Sequence, residues 1–151
     1  MVVLVHHGEA VAADLDTQRP LSARGRLGAE RLAAAVAARG VRPVAVWHSG
    51  KLRARQTAEA FWRACNPLAE FKAIRGLQPT DPAAVLADHL AGEVRDVLLA
   101  GHMPSLERLL RVMVTGSEED ALSFPAHGVV ALEPVDATRW REAWRLGEPV
   151  E

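Results

Sequence analysis

The side chains in this sequence of the types that handle phosphoryl groups or metal ions include His6 and His7 at the end of the apolar run MVVLV, Arg19 in QRPLSARG, Arg53 in SGKLRARQTA, His102 in LLAGHMPSL and His127 in FPAHGVV. A neutral imidazole carries a lone pair that attacks phosphorus, splitting hydrolysis into transfer to nitrogen and then attack by water. Guanidinium groups are planar, permanently charged forks matched to phosphate oxygens. A second imidazole can donate a hydrogen bond or hold charge as it develops. Phosphoryl transfer needs little else beyond an aligned nucleophile and positive charge around the equatorial oxygens. His6, His7 and His102 also have the composition of a three-imidazole zinc site. Against that stands the alternation of an extended chain, which sends adjacent side chains to opposite faces and so separates His6 from His7. The expectation is therefore no metal and no cofactor. The plain alternative is that these are polar residues at strand ends without a chemical role.

Hydrophobic patterning supplies the elements that must position them. Val2 to Val5 is a continuous apolar run, as in a strand buried on both faces. DLDTQRPLSARG has no periodicity and reads as a loop, ending at Ser22 as a helix N-cap. The helix that follows has Leu27, Leu32, Ala35 and Val36 as its apolar stripe, and Gly40 as its stop. Val44 to Trp47 predicts a second strand, Leu52 to Ala64 a helix ending before Asn66-Pro67, and Leu68 to Ile74 a weak strand. Pro82 suits the first turn of a helix reaching Leu90, and Asp96 to Ala100 is a third strongly apolar strand. A helix from Ser105 to Val114 and strands over Gly128 to Leu132 and Arg139 to Leu146 complete the chain. The alternation predicts an α/β fold: one domain over residues 1–151, with a mainly parallel central sheet and helices on both faces. Open sheets of this kind bind ligands beyond the carboxyl ends of their strands, where His6, His7, His48, Ser49 and His102 all fall.

Bulk properties exclude several alternatives. The 151 residues carry a formal net charge of -1, so no global field draws the chain to nucleic acid or to an anionic membrane. No apolar run reaches the length of a membrane span, and the apolar start lacks the basic flank of a signal peptide; the expected location is cytoplasmic. A single cysteine, Cys65, rules out an internal disulfide and a cysteine metal site, and reads as buried filler. His48 and Ser49 read as structural support, His89 as a surface residue and Arg55 as solvated.

The blocks LVHHGEA, RPLSARG, SGKLRARQTA and LLAGHMPSL resemble, in order and spacing, the histidine phosphatase superfamily of phosphoglycerate-mutase-like fold, and within it the small SixA-like phosphohistidine phosphatases. The resemblance runs from the first strand to about Leu132 and implies a three-layer sandwich. It implies His7 as the nucleophile, with His102 and Arg53 as catalytic partners. Arg19, Arg53, His102 and His6 would form the phosphate pocket. The family's opening Arg-His-Gly is His6-His7-Gly8 here, so histidine replaces an arginine. A histidine titrating near 6.5 is expected to weaken the enzyme or to shift it toward acidic conditions. The general-acid glutamate of larger relatives has no counterpart in AIRGLQPTDP, leaving Glu9 and Asp81 as stand-ins and Glu9 and His127 as accessory site residues. A labile N–P bond needs less acid help, which tilts the substrate toward a phosphohistidine on a protein rather than a small phosphate ester. A phosphate-binding module of little turnover is the remaining alternative.

Overall fold

The computed structural model describes residues 1–147. Its strands are β1 (Val2–His6), β2 (Ala45–His48), β3 (Glu70–Ala73), β4 (Val97–Gly101), β5 (Val129–Pro134) and β6 (Trp140–Leu146). Its helices are α1 (Ala23–Ala38), α2 (Leu52–Cys65), α3 (Ala83–Leu90) and α4 (Ser105–Thr115). The strands form one sheet in the order β3-β2-β4-β1-β5-β6. The first four in that order run parallel, whereas β5 is antiparallel to both β1 and β6.

Alternation along the buried strands divides the core into two layers. Val2 and Leu4 of β1 pack with Trp47, Leu99 and the apolar faces of α3 and α4. Val3 and Val5 pack with Val46, Leu98, Ala100 and the faces of α1 and α2. The expected three-layer α/β sandwich with a mostly parallel sheet is thus the observed one. Its chain path leaves β1 outward to β2 and β3, then returns to insert β4 between β2 and β1. That reversal opens a crevice beyond the carboxyl ends of β1, β2 and β4.

Local expectations hold with two corrections. Ser22 caps α1 by accepting from Gly25 N at 3.0 Å. The buried stripe of α1, however, is Gly25, Ala29, Leu32, Ala33 and Val36, while Leu27 and Ala35 are exposed. The helix meets α2 mainly through small residues, so size misleads there and spacing decides. The second correction concerns strand bounds: β2 begins one residue later than Val44, β3 covers only Glu70–Ala73 of the expected Leu68 to Ile74, and His6 and His48 are the last residues of their strands. None of the described helices is long and apolar enough to cross a membrane.

Candidate active site

His7 is the first residue beyond β1. Its Nδ1 lies 2.7 Å from the carbonyl of Gly8. A carbonyl only accepts, so the neutral ring carries its proton on Nδ1 and its lone pair on Nε2. The main chain is pinned on both sides: His7 N donates to Gly101 O at 3.1 Å and Gly8 N to Thr57 Oγ1 at 3.1 Å. The turn then runs tightly across the start of α1. A Cβ at Gly25 would sit 1.9 Å from Glu9 O, and one at Gly8 would sit 2.8 Å from Gly25 O. Only glycine permits that approach.

Arg53, Gln56 and Thr57 share one face of α2 through their i, i+3, i+4 spacing. Gln56 Oε1 accepts from Leu21 N at 2.8 Å and so holds the end of the Arg19 loop. Thr57 accepts from Gly8 N and donates to Arg53 O at 2.8 Å, joining the His7-Gly8 turn to the helix that carries Arg53. Sequence reasoning singled out Arg53 and missed these two partners, although their helical spacing was the available signal. Arg53 Nε is buried with no hydrogen-bond partner among the described residues. Arg19 adopts a left-handed backbone (φ 49°), and its Nε donates to Val11 O at 3.1 Å. Burial first and then the Arg19 charge lower the pKa of Arg53, and after burial Arg19 is also among the charges that lower His7.

His102 follows β4, with its ring centroid 5.0 Å from that of His7. Ser105 Oγ and Leu106 N of α4 both donate to His102 O, at 2.9 Å each. Ser49 Oγ lies 2.7 Å from His102 Nε2 and accepts from Lys51 N at 3.3 Å. Ser49 can give its proton to His102 Nε2 while it accepts from Lys51 N, the arrangement that places the His102 proton on Nδ1. That Nδ1 is buried with no partner among the described residues. Ser49 is held in turn by Gln78 Nε2, which donates to its carbonyl at 2.6 Å. Ser49 therefore supports the site, as expected, through a specific bond to His102.

His6 and His127 complete the cluster. The expectation that alternation would part His6 from His7 fails, because β1 ends at His6; the two ring centroids are 4.6 Å apart. His127 stacks on His6 at 4.7 Å with 6° between the planes. One ring nitrogen from each of His6, His7 and His127 lies within 4.8 Å of the other two, a metal-like grouping different from the one considered from sequence. The donor set does not suit a metal ion. His6 Nδ1 accepts from His127 N at 2.7 Å, so the neutral ring keeps its proton on Nε2, and the Arg53 cation is among the charges acting on His6 and His7.

Burial and the surrounding cations keep His6, His7 and His102 neutral. Burial first, then His7, His127 and Arg53, lower the His6 pKa to about 3. Burial lowers His7 to about 4 against an opposing pull from its Gly8 hydrogen bond. Burial and then His7 and Arg53 lower His102 to about 3. His6 thus stays uncharged through the range in which sequence alone had it titrating. The unfolded chain takes up these protons below about pH 6.5, the ordinary imidazole value, whereas the folded chain does not; stability is lost as pH falls from there toward 4. Thermal or urea melts are expected to show each of His6 and His7 costing about 1 kcal/mol per pH unit below pH 6. A stability that is flat from pH 7 to 5 would contradict neutral imidazoles.

The remaining candidates lie elsewhere or are otherwise engaged. The Glu9 carboxylate is 3.7 Å from Arg24, and the Asp81 carboxylate accepts from Gln78 N at 2.8 Å. His48 Nδ1 accepts from Gly50 N at 3.0 Å with its ring against Phe71, a structural role. His89 is exposed, Arg55 pairs with Glu59 at 3.2 Å on the surface, and Cys65 is buried with its thiol pKa pushed up to about 11 by burial. Two cavities flank the site. One, of about 530 Å³, is lined by residues including Ser49, Arg75, Gln78 and Asp81; the other, of about 400 Å³, by residues including Gln18, Lys51, Arg53 and Arg55.

Solved structures share this fold. The protein histidine phosphatase SixA, complexed with tungstate, superposes with a TM-score of 0.85 at 22% identity, covering 97% of this chain and 96% of its own. A chain from Agrobacterium tumefaciens assigned as phosphohistidine phosphatase SixA gives 0.79 at 29% identity over 97% and 96%. A mycobacterial glucosyl-3-phosphoglycerate phosphatase gives 0.73 at 16% over 99% and 98%. No curated protein sequence matches the chain. The sequence model of the histidine phosphatase superfamily (branch 1) matches residues 2–81, the stretch that contains His6, His7, Arg19 and Arg53 but neither His102 nor His127. With more than half of its length matched by that family and its fold shared with family members, the chain belongs to the histidine phosphatase superfamily.

Proposed function

We propose that this chain is a metal-independent phosphohydrolase that passes the phosphoryl group through His7, with phosphohistidine on a protein as its substrate class. One observation carries the reading: a histidine whose lone pair is held on Nε2 stands beside two buried donors, Arg53 Nε and His102 Nδ1, that have no protein partner among the described residues. Phosphoryl oxygens supply the missing acceptors. His7 Nε2 attacks phosphorus as the bond to the leaving group breaks, and the leaving group departs with its electron pair. Water then attacks the phosphohistidine, releasing phosphate and restoring the neutral ring. Arg19 and Arg53 neutralise the equatorial oxygens, and His102 donates to one of them. No step calls for a metal.

The leaving group points to the substrate class. Among the described residues neither stand-in acid, Glu9 beside Arg24 or Asp81 at Gln78 N, makes a hydrogen bond to His7, His102 or Arg53. An imidazole leaving group is protonated easily from solvent, whereas an alkoxide needs a positioned acid. SixA, named as a protein histidine phosphatase, shares the fold over the length of both chains. The second reading, a small phosphate ester, is favoured by the 530 Å³ cavity at Ser49, which is large enough for a metabolite-sized leaving group.

Rates on a phosphohistidine peptide and on glycerol phosphate, an alkyl ester, measured from pH 5 to 8 in EDTA, decide between them. The expected result is EDTA-resistant hydrolysis with the phosphohistidine peptide preferred. Preference for the ester favours the second reading. Tungstate binding without turnover of either substrate would establish a phosphate-binding module instead.

A further inference from the structure

His6 stands where the resemblance expects a guanidinium, and its surroundings show how a histidine serves there. The segment Pro125-Ala126-His127-Gly128 is a turn closed by Gly128 N donating to Pro125 O at 3.0 Å. Its third residue, His127, has a φ of 50°, a left-handed conformation that suits glycine or asparagine in such a turn and costs a histidine energy. Three contacts justify that cost, and all three converge on the His6-His7 step. The left-handed backbone aims His127 N at His6 Nδ1 at 2.7 Å. The His127 ring stacks on the His6 ring. His127 Nδ1 donates to His7 O at 2.7 Å. The neighbouring residue is fixed as well: His6 N donates to Gly128 O at 3.0 Å, and a Cβ at Gly128 would lie 2.6 Å from Leu146 O.

We propose that His127 is a positioning residue that locks His6 in the Nε2–H tautomer, so that His6 serves as a neutral hydrogen-bond donor to a phosphoryl oxygen in place of a guanidinium. This inference rests on the phosphate-pocket reading above. A backbone N–H can only donate, so His6 Nδ1 must accept, and the single ring proton is left on Nε2. The groups that face His6 reinforce the neutral form. His7 beyond β1, His102 beyond β4, His127 in the turn and Arg53 on α2 are neutral or cationic, and no carboxylate contributes to its low pKa. Protonating Nδ1 would also break the bond to His127 N. The pocket therefore holds two fixed charges, Arg19 and Arg53, with neutral donors at His6 and His102.

Two kinds of measurement test this. The first does not depend on turnover: long-range ¹H–¹⁵N correlation spectra of histidine-labelled protein, from pH 5 to 8, with and without vanadate. His6 is expected to show the proton on Nε2 and none on Nδ1 throughout. A His6 ring protonated on both nitrogens at pH 7, free or with vanadate bound, overturns the proposal even in an active enzyme. The second is kinetic. Gln places an uncharged N–H donor near the position of Nε2, whereas Asn can only reach the position of Nδ1. His6→Gln is expected to lose less than about tenfold in kcat and to keep the wild-type pH profile. His6→Asn is expected to lose about 10²-fold, the usual cost of one transition-state donor. His127→Gly keeps the left-handed turn but removes the ring; it is expected to lower kcat about tenfold with KM nearly unchanged, and His127→Asn, which suits the turn and can donate to His7 O, is expected to recover part of that loss. Equal losses in His6→Gln and His6→Asn overturn the donor role of His6, and an unaltered His127→Gly overturns the positioning role of the His127 ring. Absence of any His7-dependent turnover would refute the phosphohydrolase reading alone, since the tautomer spectra would still decide the state of His6.

Discussion

His7→Ala is expected to fold normally and to lose at least about 10⁴-fold in turnover on any phosphorylated substrate, the scale seen when a covalent nucleophile is removed. The fold should survive because the main chain at this position is held independently of the ring. His7 N donates to Gly101 O, Gly8 N donates to Thr57 Oγ1, and the strand pairing ends one residue earlier at His6. The ring's own hydrogen bond is only to the adjacent Gly8 carbonyl, so its loss leaves no distant partner stranded. Chemically, nothing else in the pocket can take over. His6 has its proton on Nε2 and its Nδ1 engaged with His127 N, and His102 shares its Nε2 with Ser49. Rapid quench with ³²P-labelled substrate should trap an acid-labile, base-stable phosphoenzyme in the wild type and none in His7→Ala. Turnover of His7→Ala within tenfold of the wild type would assign the nucleophile elsewhere.

Gly25→Ala is the second large effect, and it arises from packing rather than chemistry. A methyl group there would lie 1.9 Å from Glu9 O and 2.8 Å from Glu9 N and C, all of them backbone atoms with no rotamer to change. The Glu9 carbonyl also accepts from Ser22 N at 3.0 Å, so the strand-to-helix turn cannot retreat without breaking the start of α1. Relief has to come from moving the segment His7-Gly8-Glu9 away from α1. Urea denaturation is expected to show a loss of about 3 kcal/mol, at the upper end for overpacking, together with a large fall in activity. Gly40→Ala makes the contrast: its φ is 82°, yet a Cβ would meet nothing within 4 Å. It should cost about 1–2 kcal/mol of backbone strain and leave kinetics unaltered. Equal effects of the two substitutions would show that the close approach at Gly25 does not position the site.

Much of the site was legible because open α/β sheets obey a simple rule: ligand residues lie beyond the carboxyl ends of strands. His7, Ser49 and His102 follow it, each just past an apolar run that patterning identifies. His127 does not, since β5 runs antiparallel to β1 and brings the residue before the strand, not after it, to the same end of the sheet. The direction of a strand is not written in its hydrophobicity, so the strand-end rule does not reach that histidine, and only the family resemblance made it an accessory candidate. Gln56 and Thr57 escaped notice for another reason. Their partners, Leu21 N and Gly8 N, are backbone groups 35 and 49 residues away, and no side-chain pattern announces them.

The charge on His6 shows the limit most sharply. From sequence it is an exposed-type imidazole titrating near 6.5. In the fold it is half-buried, faces other neutral or cationic groups and accepts a hydrogen bond from the main chain of His127, which together hold it neutral. Composition, apolar periodicity and the order of four short blocks by themselves determined the layered α/β architecture, the order of its elements and the identity of His7, Arg19, Arg53 and His102 as the residues to examine. Only the tertiary structure decided which ring nitrogens carry protons, that His6 and His7 sit side by side, and that His127 joins them. Protonation and tautomer depend on desolvation and on backbone donors brought in from distant parts of the chain, and neither exists until the chain has folded.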